Sequence, residues 1–382
     1  MKIAFVTLMA GYSWGGSEYL WSATAERALI EDHEVLLSIY DWSTNHPAIT
    51  RMQAQGAELH VRTRFPRPSP LAIRIKQKIE RAFPYLQFNQ PSPFHAVYDW
   101  QPDIICISQG GSYDISCFID LLNFLLTTSV PFWIICQFNF EVSAPSRGTE
   151  PLIKAVFSKA KGVAFVSRHN LNLAERHLYQ TLPNAIVVQN PTNLSDRTKV
   201  EWPIQPKVSF ACVARLEAPI KGQDALFEVL SSQIWRERDW ECNLYGAGPD
   251  RDYLENLAHH YDVRDRIHFK GHINDIRLLW AENHLLVMPS RAEGTPLSLV
   301  EAMLCGRPAV VTDVGGNAEW ITEGRTGFIA ESASPKSLNA ALERAWLAQD
   351  NWKQMGDTAH EDAIAKIDPS PGSTLLKLIG QL

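Results

Sequence analysis

The sequence predicts an α/β protein made of two doubly wound, Rossmann-like domains facing a central cleft. Three observations carry this expectation. Short apolar runs alternate with longer helical patterns along the chain, which implies a mainly parallel sheet with right-handed crossovers. The runs are continuously apolar, as suits strands covered on both faces. A polar, aperiodic stretch at 190–207, NPTNLSDRTKVEWPIQPK, holds three prolines and separates two such series.

In the first half the strands are expected at 3–8, 34–39, 57–61, 103–107, 132–137, 162–166 and 186–189, with helices at 17–30 and 150–160. In the second half they are expected at 208–214, 241–245, 266–269, 285–288, 308–312 and 326–329, with a helix at 223–232. The expected domains are 1–190 and 208–350, joined by a linker at 191–207. Ligands of such sheets lie outside the carboxyl ends of the strands, which points to the cleft between the domains.

The chain has 382 residues, of which 45% are hydrophobic and 20% charged, the composition of an ordinary globular protein. That excludes a disordered tail, a collagen-like fibre and a coiled coil. Two or three domains fit the length, and cores of that size need no metal or disulfide to hold them. Residues 1–190 carry 16 Lys and Arg against 15 Asp and Glu, and residues 191–382 carry 20 against 27. Neither half has the positive field of a duplex DNA binder, so no nucleic-acid partner is expected. The six cysteines are scattered, mostly inside apolar runs, and form no C-x-x-C pair. They read as small buried hydrophobes in a reducing compartment. No run reaches the ~18 apolar residues of a membrane span. The N-terminus reads as a buried strand rather than a signal peptide, which places the expected location in the cytoplasm.

The strongest chemical signal is MPSRAEGTPLSLVEAM at 288–303. Thr295 is expected as the N-cap of a helix, with Pro296 in its first turn and Gly306 at its end. Free N–H groups of Gly294, Thr295 and Leu297 would then make an anion site. Glu301 shares the core-facing stripe with Leu297 and Leu304, at helical spacing. A carboxylate there needs a hydrogen-bonding partner, which a ribose diol would supply and a neighbouring Arg would supply equally well. Glu293, just before the helix, is placed to accept hydrogen bonds from sugar hydroxyls.

A second signal is RLEAPIKG at 215–222, after the first strand of the second domain. Arg215 and Lys221 stand where a dinucleotide fold holds its phosphate loop. Together they suit a diphosphate that gains charge on leaving, although two solvated loop cations would look the same. A third is YGAGP at 245–249. Gly246 and Gly248 serve either the turn or the approach of a nucleotide to the backbone. Asp250 and Asp252 read as capping or first-turn acids, and no metal is expected. In the first domain Gly16 would let a phosphate or sugar approach its N–H, and Ser17 would cap the following helix. Gly315 and Gly316 form a turn into a helix facing the cleft.

Together these motifs resemble the retaining GT-B glycosyltransferases of family 4, a large group of bacterial sugar transferases. The E-x7-E element (Glu293, Glu301), R-x5-K-G (Arg215, Lys221, Gly222), the later G-x-G and the early Gly15-Gly16 stand in that family's order. The resemblance implies a UDP- or GDP-linked sugar donor held mainly by the second domain and an acceptor, glycan or lipid-linked, held mainly by the first. It implies Arg215 and Lys221 on the diphosphate, Glu301 on the ribose, Glu293 on the transferred sugar, no metal, and retained anomeric configuration. By analogy of fold, helices at 351–382 pack back toward the first domain. The family often has a His after a first-domain strand near the cleft, whereas this chain reads Gln137-Phe138-Asn139-Phe140-Glu141 there. Gln137 can hydrogen-bond but cannot shuttle a proton near neutral pH. That departure keeps a second reading open, a catalytically silent GT-B module that binds sugar nucleotide or glycan as a subunit. An epimerase or phosphorylase of the same fold is a third.

Residues 62–83 hold seven cations and one acid, with Leu71, Ile75, Ile79 and Phe83 on one stripe. The pattern suits a helix on an anionic membrane surface, and equally a helix packed on the sheet with a solvated basic face.

Overall fold

A computed structural model describes residues 1–63, 92–205, 207–273 and 275–381. Among them, two sheets form in chain order. The first holds β1 (Lys2–Thr7), β2 (Glu34–Tyr40), β3 (Glu58–Arg62), β4 (Ile104–Gly111), β5 (Phe132–Phe138), β6 (Gly162–Phe165) and β7 (Ala185–Val187), in the order β3-β2-β1-β4-β5-β6-β7. The second holds β8 (Val208–Val213), β9 (Trp240–Tyr245), β10 (Ile267–Gly271), β11 (Leu285–Met288), β12 (Ala309–Thr312) and β13 (Gly327–Ala330), in the order β10-β9-β8-β11-β12-β13. Every described pairing is parallel.

The apolar runs account for this. Strands β5, β11 and β12 are buried at nearly every position. Successive side chains point to opposite faces, so each sheet needs cover on both sides. Val6, Ile107 and Ile134 face one core of the first sheet, and Phe5, Cys106 and Ile135 the other. In the second sheet Phe210 and Val287 face a core rich in tryptophan, while Ala211, Leu286 and Val311 face the other.

The chain ends by crossing between the domains. Helix Trp352–Lys366 packs on helix Leu297–Leu304 of the second domain, and helix Pro371–Gly380 packs on Tyr19–Ile30 of the first. At the crossing, the Gln189 side chain donates to the Lys366 carbonyl at 3.0 Å and accepts from the Asp368 N–H at 2.8 Å.

Three sequence expectations need correction. Strand β4 runs on to Gly111, because pairing to β5 continues past the apolar run through Gln109 opposite Cys136. Buried Gln109 is satisfied there, donating to the Ser112 carbonyl and accepting from the Ile115 N–H. Ser17 does not cap the next helix. It lies inside a 3₁₀ turn, Gly16–Glu18, and Glu18 occupies the N-cap position of Tyr19–Ile30. Arg62 is no part of a solvated basic face. It is buried, donates to the carbonyls of Thr7 and Ser38, and lies over the ring of Tyr40. The rest of the expected basic helix, 64–83, lies outside the described residues. Of the six cysteines, five are buried and Cys117 is exposed. No described helix is long and apolar enough to cross a membrane.

Strand order reverses between β1 and β4 in the first sheet, and between β8 and β11 in the second. Loops leaving neighbouring strands diverge at such points and open the crevice where α/β sheets take ligands. Gly16, Arg215, Lys221 and Glu293 sit on the loops after β1, β8 and β11.

Candidate functional site

The loops after β8 and β11 are clamped together. Gly222 has φ +69, and a Cβ there would lie 2.0 Å from the Pro289 carbonyl oxygen. Only glycine allows that approach in that conformation. Arg291 completes the clamp. Its N–H donates to the Ile220 carbonyl at 2.8 Å, and its guanidinium grips the Asp224 carboxylate at 2.7 and 2.9 Å. Asp250 sits at the N-cap position of helix Arg251–His260 without capping it. Its carboxylate instead accepts from the Ala218 N–H at 2.8 Å, tying the YGAGP turn to the 215–222 loop. Gly246 and Gly248 allow the same closeness, since a Cβ on either would come within 2.3 Å of the backbone at 214–216. Their structural place is therefore behind the Arg215 loop.

This clamp joins two charged side chains, Glu293 and Lys221. Glu293 is 6% exposed, and its carboxylate accepts from Lys221 Nζ and from Ser290 Oγ, each at 2.7 Å. Lys221 thus already holds an anion, the Glu293 side chain. Arg215 lies on the same loop. Its guanidinium carbon stands 3.2 Å over the ring centre of Tyr12, and one nitrogen is 3.5 Å from the Glu217 carboxylate. That nitrogen, Nη1, is buried without a hydrogen-bond partner. Burial lowers the Arg215 pKa, and Glu217 opposes the shift.

Glu301 lies further along helix Leu297–Leu304 and is 5% exposed. The Asn193 N–H donates to it at 3.2 Å. Burial raises its pKa to about 7, and the Asn193 bond only partly offsets this. Glu301 therefore keeps acceptor capacity that the protein does not fill with a cation, unlike the Arg-paired alternative.

The helix start differs from expectation. Pro296 holds the N-cap position, and Thr295 does not cap the helix. The Thr295 hydroxyl donates to the Val166 carbonyl of the first domain at 2.8 Å. The Leu297 N–H is not free, since it donates to the Thr295 carbonyl at 2.9 Å. Across the cleft, the Asn170 side chain donates to the Glu293 carbonyl at 3.1 Å, and the His169 N–H to the Glu319 carboxylate at 2.9 Å. A Cβ on Gly294 would lie 2.0 Å from the Gln137 carbonyl oxygen, and one on Gly16 would lie 3.4 Å from Leu297 Cδ1. Gly315, φ +52, turns against the Glu293 carbonyl before helix Asn317–Trp320. Gln137 accepts from Asn190 Nδ2 at 2.7 Å. Among the described residues no group of three or more His, Cys, Asp or Glu is placed to hold a metal.

The structure thus pairs Lys221 with Glu293, sets Arg215 on the Lys221 loop against Tyr12, seats Gly294 against Gln137, and brings Leu297, at the start of the following helix, to Gly16 of the opposite domain. Glu301 lies one turn along the same helix. Sequence reasoning missed Tyr12, Ser290, Asn193 and Asn170. Ser290 alone had a local signal, standing three residues before Glu293.

Two Rossmann-like domains meeting at such a cleft define the GT-B type of fold. The chain superposes over its whole length on the crystal structure of Anabaena Alr3699/HepE in complex with UDP and glucose, with a TM-score of 0.72, 17% identity and 100% of both chains covered. A glycosyltransferase from Rickettsia africae gives a TM-score of 0.71 at 15% identity, covering 100% of this chain and 98% of that one. Residues 207–347 match the family model for glycosyl transferases group 1, so the chain is a GT-B-fold protein related to that group. An uncharacterized glycosyltransferase of Haemophilus influenzae is 27% identical over 191 residues, 49% of this chain and 53% of that protein. The D-inositol 3-phosphate glycosyltransferase of Gordonia bronchialis is 31% identical over 162 residues, 40% of this chain and 35% of that protein. The chain therefore spans about half or less of these relatives.

Proposed function

We propose that the protein is a glycosyltransferase that moves a sugar from a nucleoside-diphosphate donor to an acceptor hydroxyl, with retention at the anomeric carbon. One observation carries the reading. Lys221 and Glu293 form an ion pair between the loops after β8 and β11, Arg215 stands on the Lys221 loop against Tyr12, and Glu301 lies buried without a cation on the helix that follows Glu293. The HepE structure that shares the fold is a complex with UDP and glucose, which supports a nucleotide-sugar ligand.

In this reading the second domain binds the donor. Glu301 accepts hydrogen bonds from the ribose diol, which favour its ionised form. Arg215 offers the exposed part of its guanidinium to a phosphate oxygen. Lys221 lies against Glu293, so the ammonium and the sugar-facing carboxylate hold each other in place. The acceptor oxygen bonds to the anomeric carbon as the bond from that carbon to the phosphate oxygen breaks. The departing phosphate oxygen takes the acceptor proton. The protein supplies position and charge stabilisation, with both cations opposite the charge that develops on the leaving group. The acceptor, glycan or lipid-linked, lies against the first domain.

A panel of UDP-, GDP- and ADP-sugars with Glu301→Ala and Lys221→Ala as controls tests this. The expected result is turnover or slow hydrolysis of one donor, reduced by both substitutions. Donor turnover indifferent to both would sink the site assignment. Tight nucleotide binding with no turnover of any donor would identify a silent binding module instead.

A further inference from the structure

We infer that Tyr12, on the loop after β1, is a positioning residue that completes the diphosphate site from the opposite domain by holding Arg215. The inference rests on the transferase reading above and adds a residue to it. Tyr12 belongs to the first domain and is 37% exposed. Its ring nevertheless lies flush against Arg215, 3.2 Å from ring centre to guanidinium carbon. Its hydroxyl donates to Glu217 Oε1 at 3.2 Å, and the other Glu217 oxygen lies 3.5 Å from Arg215 Nη1. Tyr12, Arg215 and Glu217 thus form a closed triangle across the cleft.

The geometry of a guanidinium gives the triangle its use. All five N–H groups point outward in the plane, and the π face carries none. An aromatic ring on the face fixes the plane without occupying a donor. Nη1 is buried beside Glu217, but a third of the Arg215 side chain is exposed, so outward N–H donors stay available to an oxyanion. A diphosphate arriving there competes only with Glu217, whose contact is long, and the Tyr12 hydroxyl holds that carboxylate to one side. Because the ring comes from the first domain, Arg215 reaches this posture only when the domains are closed. Nearby, Gly16 approaches Leu297, and Gly294 approaches Gln137. The phosphate site is therefore complete only in the closed form, which ties donor recognition to closure.

The test uses the full chain and UDP, GDP and ADP as probes. Each is titrated by calorimetry into wild type, Tyr12→Phe, Tyr12→Ala, Arg215→Met and the Tyr12→Ala/Arg215→Met double variant, with thermal melts as folding controls. Cation–ring contacts of this kind lead us to expect about ten-fold weaker binding for Tyr12→Ala. Tyr12→Phe keeps the ring and should stay within about three-fold of wild type. In the Arg215→Met background the Tyr12→Ala effect should vanish, since contacts through a shared partner do not add. With a donor that is turned over, Tyr12→Ala should lower kcat as well as raise KM. Wild-type affinity in Tyr12→Ala, or an undiminished loss in the Arg215→Met background, overturns the inference while leaving the transferase reading intact. Wild type that binds none of the three nucleotides overturns both.

Discussion

Glu301→Gln separates a buried carboxyl waiting for a ligand from one that merely supports the helix. Glu301 is 5% exposed, and burial pushes its pKa from 4.5 to about 7. Below 4.5 the carboxyl is protonated in folded and unfolded chains alike. Between 4.5 and about 7 the folded chain keeps a proton that the unfolded chain has lost. Stability contributed by this group is therefore fully present at low pH, falls as pH rises through that window, and is gone above it. An interval of this width corresponds to about 3 kcal/mol as an upper figure. Glu18 is also buried and raised to about 7, chiefly by burial, but it is common to both proteins and cancels in their difference. Urea denaturation of wild type and Glu301→Gln, each at pH 5 and pH 8, reads the effect. The Gln variant should gain on wild type by on the order of 2–3 kcal/mol between the two conditions. Parallel pH dependences would refute the assignment of Glu301 as an unpaired buried acid. Nucleotide binding at pH 7 should also release protons from wild type and none from this site in the variant, because a diol donating to Glu301 favours the ionised form.

Further outcomes follow from the same contacts. Lys221→Ala leaves the Glu293 carboxylate with Ser290 as its remaining side-chain partner, and should cost on the order of 3 kcal/mol in urea denaturation. Most of that loss should return on adding Glu293→Gln. Gly222→Ala places a Cβ 2.0 Å from the Pro289 oxygen at φ +69. It should lower stability by about 2 kcal/mol or more, with a thermal melt as the check and an unchanged midpoint as the contrary result. Gly294→Ala sets a Cβ 2.0 Å from the Gln137 oxygen. It should wedge the domains apart and separate Tyr12 from Arg215, so donor turnover should fall and UDP should bind about ten-fold more weakly in calorimetry; unchanged UDP affinity is the contrary result. Of the six thiols only Cys117 is exposed, so one equivalent of maleimide should label the native protein and six the unfolded one.

What the sequence revealed and what it hid have a common physical cause. Continuous apolar runs announce parallel strands because both faces are covered, so the two sheets were legible. A lone Glu on an apolar helical stripe stands out for the same reason, as do Arg215 and Lys221 at a strand end. The apolar run ends β4 at Ile107, yet pairing outlasts hydrophobicity through Ser108 and Gln109. Thr295 looks like a helix cap within its own segment, yet its hydroxyl meets the Val166 carbonyl 129 positions away. Tyr12 meets Glu217 across 205 positions, and Asn170 meets the Glu293 carbonyl across 123. Contacts of that reach are made by the closing of one domain on the other, and no local pattern encodes them.

A crystal structure of the protein with UDP puts the proposed donor site to the most direct trial. Phosphate oxygens should lie about 3 Å from the Arg215 guanidinium nitrogens, with the ribose hydroxyls at the same distance from Glu301. A nucleotide bound with its diphosphate away from the β8 and β11 loops, or with its ribose away from Glu301, would contradict that site.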